Sequence, residues 1–471
     1  MGLPTNVTAG LASALVKIGL EDIPGRVVER AKYVMLDGLA CGLVGAQLPW
    51  SQVATRAVAS MDGNVGSSCV WGWDTSLSPT SACLLNATYI QGFELDDYHP
   101  LGPLHSQSVV LPPALSVAEA FDVNGQGLLR AVILGFEVGP RLGMAMDGFD
   151  MIARGWHGGA VYGTVAAAVA AALTRGCVAD ELVHAMSIAG AQAGGLMGAQ
   201  YDAMVKPMQH GFAARNGLLA AALATGGYTG MSDVLGSHYG GLVSTFAPGR
   251  IQDVRNVLTS LGSSWELESI AIKPYACMGG LHASIDAVLD LRNEQGIEPG
   301  NVESIEISVP KAIYHHGGWA ISRPTSVVGA QMNLAYAASV AMLDGAAGIP
   351  QFSPDRIGRD DVWAMIERVR IERADCLDQT QGEYTPLAAV VTVKTPRGRW
   401  RRAIQSPRGT AARPLTNEEI LTKARQLLDQ CVDRARRLAI EQAVLGLPDR
   451  SEPRGLLDLL TAPVRNPLEA G

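Results

Sequence analysis

The sequence lacks the short motifs by which several large classes of enzyme are recognised. No GxGxxG follows a predicted strand, and the Walker A, HExxH and GxSxG patterns are all missing. These motifs serve dinucleotide binding, phosphate binding, zinc proteolysis and serine hydrolysis. Their absence counts against nucleotide chemistry and serine hydrolysis as the activity of this chain.

Paired cysteines and long basic runs are missing as well. The seven cysteines are scattered without a CxxC pair, so the sequence predicts neither a disulfide framework nor a structural zinc site, and it favours a reducing compartment. The net charge is −8 and basic residues form only short arginine clusters, which argues against nucleic acid as the main ligand. An anionic ligand would therefore have to be bound by local positive charge.

Long apolar runs are also absent. The nearest approach to a membrane span, residues 158–174, is rich in alanine and glycine and falls short of the roughly 20 residues required. The first residues have neither the charged and apolar regions of a signal peptide nor arginine-rich transit character. We therefore expect a soluble protein without membrane contact, with a cytoplasmic location favoured over a mitochondrial one. The apolar fraction of 48% in 471 residues is ample for two or three domains.

Alanine and glycine are abundant in most of the predicted helices. A first helix is predicted to begin with Asp22 as its cap and a proline two residues later. Apolar residues then recur at helical spacing in six further segments. These segments are 81–93, 106–121, 127–144, 158–173, 180–193 and 211–225. Small side chains let helices approach closely, so the sequence predicts a compact helical domain over residues 1–265.

The pattern changes after residue 265. Four segments alternate apolar and polar residues, which predicts strands, and a turn with proline and glycine joins the last two. These segments are 304–309, 369–371, 389–394 and 399–404. Helical patterns at 284–292 and 329–343 lie between them. Residues 266–404 are therefore predicted to form a smaller α+β domain.

The end of the chain returns to a helical pattern. A capping box begins at Thr416, and apolar residues at helical spacing follow it. Residues 405–471 are predicted to rejoin the first helical domain. The predicted fold class is therefore mainly α: one large all-helical domain built from N- and C-terminal segments, plus a smaller α+β domain.

The densest group of chemically active side chains lies in residues 94–106. Prolines and a glycine break any helix or strand here, so a rigid loop is predicted to display these groups. A surface turn with a capping aspartate is the alternative interpretation. A metal site is not favoured, because adjacent carboxylates with loosely spaced histidines match no standard ligand pattern. The ionisable residues of the stretch are Glu94, Asp96, Asp97, His99 and His105.

Most of the nine histidines lie in glycine-flanked segments. Glycine allows a backbone to approach a ligand closely, but a histidine beside glycine is also a common structural residue. His184, on the face of a predicted helix, is interpreted as structural. Outside residues 94–106, the glycine-flanked histidines are His157, His210, His282, His315 and His316.

Lysine is scarce, and two of the seven lysines, Lys206 and Lys273, precede proline. Such a lysine has a restricted, non-helical backbone, and its compact ammonium group suits a carboxylate of a small substrate. Lys206 is also predicted to precede a helix whose first amides, at residues 209–212, could help to hold an anion. An exposed lysine at a helix start is the alternative interpretation. Acid–base chemistry by histidine, with lysines holding the substrate, needs no cofactor.

Several of these motifs together resemble those of a known family. The matching stretches are residues 31–41, 94–99, 103–106, 155–163, 209–217 and 273–277. Over nearly its whole length the sequence resembles the 2-methylcitrate dehydratase-like (MmgE/PrpD) proteins, and within them the fungal-type cis-aconitate decarboxylases. The resemblance implies a homodimer, an α+β lid domain between the two helical parts, and an active site at the domain boundary without metal or organic cofactor.

The resemblance also implies which residues line the pocket. His105 would transfer a proton, the lysines would bind substrate carboxylates, His157 would orient the substrate or relay a proton, and Tyr336 would donate a hydrogen bond. Two positions depart from the family, since Glu94 stands where some relatives have Asp, and Met278 stands where animal decarboxylases have His. The complete implied set is Asp96, His105, His157, Lys206, Lys273 and Tyr336.

Three functions remain open at this point. The favoured one is decarboxylation of the tricarboxylate cis-aconitate to itaconate by cofactor-free acid–base catalysis. The alternative is dehydration of 2-methylcitrate or a longer alkylcitrate, which also needs a placed proton donor or base beside a polyanion. A non-catalytic dimeric binding protein would be favoured only if the histidines and lysines were separated in space.

Overall fold

The computed structural model describes residues 6–63, 66–377 and 386–469, and these are mostly helical. The prediction of a mainly α protein with a smaller α+β part is confirmed. The helices are α1 Val7–Lys17, α2 Gly25–Ala46, α3 Pro49–Asp62, α4 Pro79–Ile90, α5 Ser106–Ala120, α6 Gly125–Ala145, α7 Gly148–Ala153, α8 Gly158–Thr174, α9 Ala179–Gly190, α10 Val205–Thr225, α11 Leu242–Phe246, α12 His282–Gln295, α13 Lys311–Gly317, α14 Val327–Gln331, α15 Leu334–Asp344, α16 Pro354–Ile357, α17 Asp360–Ile366, α18 Asn417–Cys431, α19 Arg434–Leu445 and α20 Arg454–Thr461. The strands are β1 Ser68–Cys69, β2 Ser76–Leu77, β3 Asp97–Tyr98, β4 Ala271–Ile272, β5 Ser304–Val309, β6 Val369–Arg373, β7 Ala389–Thr395 and β8 Gly398–Ile404.

Helix α8 is buried along its whole length and lies at the centre of the helical part. Helices α5, α6, α9 and α10 pack around it. Their close approach depends on small residues, because a Cβ atom added at Gly217 of α10 would lie only 2.4 Å from the Cβ atom of Ala167 in α8. The alanine- and glycine-rich segments are thus closely packed helices. None of the helices in the described ranges combines the length and apolar character that a bilayer crossing requires.

The strands of the α+β part form a four-stranded sheet in the order β6-β5-β7-β8. Strands β5 and β6 are parallel, and the other neighbours are antiparallel. Helix α12 packs on β7 and β8, and α15 packs on α12 and β6. The four predicted strands and the hairpin between the last two are therefore confirmed.

The C-terminal helices return to the N-terminal ones. Helices α18 and α19 pack against α2, and α20 contacts α5. The predicted capping box is present, since Thr416 Oγ1 accepts the N–H of Glu419 at 3.2 Å and the Glu419 carboxylate accepts the N–H of Thr416 at 2.8 Å. The division of the chain at residues 265 and 404 stays a prediction.

The helix starts differ from the predicted ones at two places. Helix α2 begins at Gly25 after Pro24, whereas Asp22 accepts the N–H of Gly19 at 2.8 Å and so closes the preceding turn instead. Helix α10 begins at Val205, six residues before its predicted start, and it contains Lys206 in its first turn. A proline is tolerated after that lysine because the first N–H groups of a helix have no helical partner. The amides of residues 209–212 consequently belong to the helical ladder and do not form an anion site.

A third difference concerns the helix predicted over residues 329–343. The structure divides this segment into α14 and α15, with Asn333 between them as an N-cap. Its side-chain oxygen accepts the N–H of Tyr336 at 3.0 Å. Asparagine favours such a capping conformation over continuation of a helix, which explains the break.

Candidate active site

The loop between α4 and α5 lies beside a chain segment that is distant in sequence. Strand β3 of this loop pairs antiparallel with β4, with Asp97 opposite Ile272. The pairing brings Asp96 alongside Lys273, although 177 positions separate them. The short strand pair therefore determines which lysine meets the carboxylates of the loop.

Glu94 links the two lysines of the Lys-Pro motifs. Its Oε2 atom accepts a hydrogen bond from Nζ of Lys273 at 2.9 Å, and its Oε1 atom contacts Nζ of Lys206. Lys273 is also 3.4 Å from Oδ1 of Asp96. All four side chains are buried, and both ammonium groups therefore meet at one carboxylate.

Three imidazole rings form a row beside these charges. His210, in α10, lies in the middle, and its ring centroid is 5.0 Å from that of His105 and 5.0 Å from that of His157. His105 precedes α5, and His157 is the N-cap residue of α8. Three separate helices thus bring the rings together. We call the whole group the His–Lys cluster, and its members are Glu94, Asp96, His105, His157, Lys206, His210 and Lys273.

His105 is the most accessible member of the His–Lys cluster. Its Nδ1 atom donates to Oδ2 of Asp96 at 3.1 Å, and 22% of its side chain is exposed. His210 is fully buried and His157 nearly so. The hydrogen bond fixes the orientation of the His105 ring and leaves Nε2 as the nitrogen available to a ligand.

Burial and neighbouring charges control protonation in the cluster. Although burial acts in the opposite direction, His105 and Lys273 hold the pKa of Asp96 below its usual range, so Asp96 is ionised. Burial, helped by the nearby His105 and His316, lowers the pKa of His157 to about 3. Burial and the neighbouring imidazoles also place the pKa of His210 well below its usual range. His157 and His210 are therefore neutral at physiological pH.

Lys206 is subject to opposing effects. Burial and the charge of Lys273 lower its pKa well below the usual range. Its contact with the carboxylate of Glu94 opposes that shift, because an adjacent negative charge favours the ammonium form. Loss or replacement of that carboxylate would change the charge that Lys206 carries.

Asp97 and His99 stabilise the loop and are not part of the cluster. The Asp97 carboxylate accepts the N–H groups of Ser106 and Gln107 at 3.1 and 3.0 Å and so caps α5. His99 accepts the N–H of Gly102 at 2.9 Å through Nδ1, and its Nε2 atom lies 3.2 Å from the Glu266 carboxylate. Within the described ranges, no group of three or more His, Cys, Asp or Glu residues could hold a metal ion.

Tyr336 is directed away from the cluster. Its hydroxyl donates to the carbonyl oxygen of Gln351 at 2.6 Å, and its ring packs against Phe352. Burial raises its pKa, and the charged groups that influence it are Arg356, Asp344 and Asp361, none of which belongs to the cluster. The structure brings together five of the six implied residues, and it gives Tyr336 contacts within the α+β part.

Three residues at the site were not among the implied six. Glu94 was noted in the sequence only as part of the ionisable stretch and as a departure from the family, and the glycine-flanked position of His210 was the signal available for that residue. The third is His316 of α13, which lies near enough to Lys206 that burial and this charge lower its pKa to about 4. The residue after it, Gly317, packs against Met278, since an added Cβ atom would lie 2.9 Å from the Met278 methyl group. The α+β part thus contributes an imidazole, that of His316, close to Met278, the position at which animal decarboxylases have histidine.

The arrangement suits proton transfer to or from a polyanion. An accessible imidazole, oriented by an ionised carboxylate, lies beside two amino groups that bind carboxylate. The neutral, buried imidazoles can accept hydrogen bonds but do not add positive charge. Such a site is suited to acid–base catalysis on a small polyanion.

The two parts of the chain match two consecutive domains of one family. The MmgE/PrpD N-terminal domain matches residues 9–253, and the MmgE/PrpD C-terminal domain matches residues 275–447. The chain therefore belongs to the MmgE/PrpD family.

Among curated proteins, the chain is similar to cis-aconitate decarboxylases. It is 38% identical to the cis-aconitate decarboxylase of Aspergillus terreus over 98% of both chains. It is 37% identical to the cis-aconitate decarboxylase-like protein oryM of Aspergillus oryzae over 97% of both chains. The human cis-aconitate decarboxylase is 29% identical over 78% of this chain and 76% of its own.

Proposed function

We propose that the protein is a cis-aconitate decarboxylase, a carboxy-lyase that converts cis-aconitate to itaconate and CO₂. The observation that carries this proposal is the 38% identity to a decarboxylase of that name over 98% of both chains. The His–Lys cluster supports it, because it combines an oriented acid–base group with cationic groups for a tricarboxylate. Its members lie together, which is the arrangement that argues against a non-catalytic binding protein.

The proposed reaction consumes one proton. Loss of CO₂ from the CH₂-bound carboxylate leaves an electron pair that moves into a new terminal double bond, while the original double bond opens toward the far carbon. That carbon then takes a proton, so the trianion and one proton give the itaconate dianion and CO₂. His105 is the proposed donor through Nε2, and Asp96 stabilises the positive charge of its protonated ring.

The two lysines are proposed to bind the carboxylates that the product retains. Each charge-assisted contact is worth roughly 1.5–3 kcal/mol. The Glu94 carboxylate contacts both ammonium groups in the structure. A substrate carboxylate would therefore either bind the lysines together with Glu94 or displace it. No redox step and no electron-withdrawing cofactor is required, because the adjacent double bond accepts the electron pair that the allylic carbon releases. We therefore propose a cofactor-independent enzyme.

The assay that tests the function uses chelator-treated protein. Separate incubations with cis-aconitate and 2-methylcitrate are followed by CO₂ release and by NMR of the products. Itaconate and CO₂ from the first incubation are the expected result. Methylaconitate from the second, without CO₂ from the first, would assign the protein to the alternative, a dehydratase.

A homodimer is proposed as the assembly. Apolar side chains are exposed just before and at the start of α10, and a second copy could bury them. These residues are Leu196, Tyr201, Met204 and Val205. Light scattering at micromolar concentration is expected to give twice the chain mass, and a monomer would contradict the proposal. The cytoplasmic location stays a prediction.

A further inference from the structure

The contacts of His210, the middle ring of the imidazole row, determine which of its two ring nitrogens carries the proton. Nδ1 of His210 is 2.5 Å from Oγ of Ser108, and the same hydroxyl is 2.9 Å from the carbonyl oxygen of His105. A carbonyl can only accept, so the single hydroxyl proton of Ser108 points to it. His210 must then donate from Nδ1, and the neutral ring presents an unprotonated Nε2 atom.

That Nε2 atom has no partner among the described residues, although it is buried. It faces Gly159, where an added Cβ atom would lie 2.8 Å from it. The Cε1 edge of His157 faces the same glycine, at 3.3 Å from the added atom. Nδ1 of His157, which flanks that edge, is also buried without a partner in the described part of the chain. Two unpaired nitrogens, one an acceptor, thus lie on neighbouring rings.

We propose that His210 is a positioning residue that holds His157 with its proton on Nδ1 by accepting that N–H at its own Nε2. A rotation of the His157 ring makes this hydrogen bond and pairs both buried nitrogens. Ser108 transmits the constraint to the backbone of His105, the other end of the row. Gly159 is required because a side chain there would separate the two rings.

This arrangement gives the two outer rings, His105 and His157, different roles. His157 presents an unprotonated Nε2 to the ligand and is an acceptor, so it can bind a protonated group or water but cannot deliver a proton. His105 alone remains as the proton donor. The assignment of roles rests on the proposed function, whereas the tautomers themselves do not.

The test is nitrogen-15 NMR of the histidine side chains together with steady-state kinetics. Asparagine at position 210 keeps a donor for Ser108 but has no atom at the Nε2 position, whereas glutamine places an amide near it. We expect His157 to carry its proton on Nδ1 in the wild type, to lose this preference in His210→Asn, and to keep it better in His210→Gln. We expect kcat to fall roughly 10- to 100-fold in His210→Asn with KM nearly unchanged, and less in His210→Gln.

Two further variants keep the proposal falsifiable. Ser108→Ala removes the hydroxyl that accepts the Nδ1 proton of His210, so the tautomer preferences of His210 and His157 should be lost. This variant replaces His210→Asn if that protein does not fold. His184→Gln alters a histidine that accepts the N–H of Gly230 outside the cluster, and it should change neither measurement. A wild-type His157 with its proton on Nε2, or unchanged tautomer and kcat in the position 210 and 108 variants, would overturn the proposal. The NMR result needs no substrate, so an inactive protein with the expected tautomers would count against the proposed function alone.

Discussion

Within the described residues, largely buried lysines meet carboxylates at two places that differ in their surroundings. Lys423 of α18 lies 2.8 Å from the carboxylate of Asp37 in α2 and donates to the carbonyl oxygen of Leu95 at 2.6 Å. Gln107 donates to the same carboxylate at 3.1 Å. Lys273 instead lies between two carboxylates of the His–Lys cluster, next to a second lysine and a partly exposed imidazole.

The difference separates a structural contact from a chemical one. The Lys423 contact joins helices from the two ends of the chain, and protein groups surround its charges. In the cluster, by contrast, 22% of the His105 side chain is exposed, so a ligand can reach its ring. This accessible acid–base group beside two lysines indicates a site arranged for a ligand.

The largest expected effect is on catalysis. His105→Ala should lower the turnover of cis-aconitate roughly 10²- to 10⁴-fold, because it removes the proposed general acid. The thermal unfolding midpoint should stay near that of the wild type, since the ring is partly exposed. CO₂ release at saturating substrate measures the effect, and His184→Ala is the matched control. A variant that keeps more than a tenth of the wild-type rate would contradict this role.

The second effect is on stability. Lys423→Met should lower the free energy of unfolding by roughly 3–5 kcal/mol, because it leaves Asp37 buried without its counter-charge. Urea unfolding followed by circular dichroism measures the change. The double variant Asp37→Leu, Lys423→Met should recover part of it, since neither charge remains. Equal stability of the single variant and the wild type would show that the pair is not structural.

The third effect concerns substrate binding. Lys206→Met should lower kcat/KM for cis-aconitate roughly 10- to 150-fold. This corresponds to a loss of about 1.5–3 kcal/mol of transition-state stabilisation, as expected when a charge-assisted contact is removed. The exposed Lys17, changed to methionine in the same way, provides the control. If both variants match the wild type, Lys206 does not bind the substrate.

The smallest effect is on the pH dependence of stability. With a pKa of about 3 in the folded state, His157 stays neutral where an unfolded histidine takes up a proton below about pH 6.5. The unfolded state therefore binds more protons, and stability falls as the pH falls through this range, by up to about 1.4 kcal/mol per pH unit. In His157→Gln this contribution is absent.

Urea unfolding at about pH 7, 6 and 5 tests that sign. The stability of His157→Gln relative to the wild type should rise steadily toward pH 5. Asp96 does not interfere, because its lowered pKa means that its contribution is lost only at more acidic pH. A relative stability that does not change with pH would contradict a buried, neutral His157.

The sequence predicts local features of this fold well. The capping box at Thr416 and the hairpin of β7 and β8 depend on residues that are neighbours in the chain, and both are confirmed. One failure arose where distant contacts decide the structure. Lys206 lies inside α10 because packing against α4 and α8 extends that helix, whereas the local preference before proline favours a non-helical backbone.

The candidate site could be predicted in part for the same reason. Residues 94–106 were identified by their density of ionisable groups, and the resemblance implied the partners of His105. The central place of His210 could not be read from the sequence, since it results from three helices that meet around one ring. The bridging role of Glu94 depends likewise on the register of β3 with β4, which no local pattern encodes.

The pairing of β3 with β4 has a consequence for how the molecule is made. A ribosome releases the loop with Glu94 and Asp96 long before it releases Lys273, and α18 follows later still. During that interval Glu94 and Asp96 lack their contact with Lys273, and Asp37 lacks its contact with Lys423. A nascent chain therefore stays incomplete until almost all of it has emerged, and fragments that end before residue 273 should be inactive whatever their helix content.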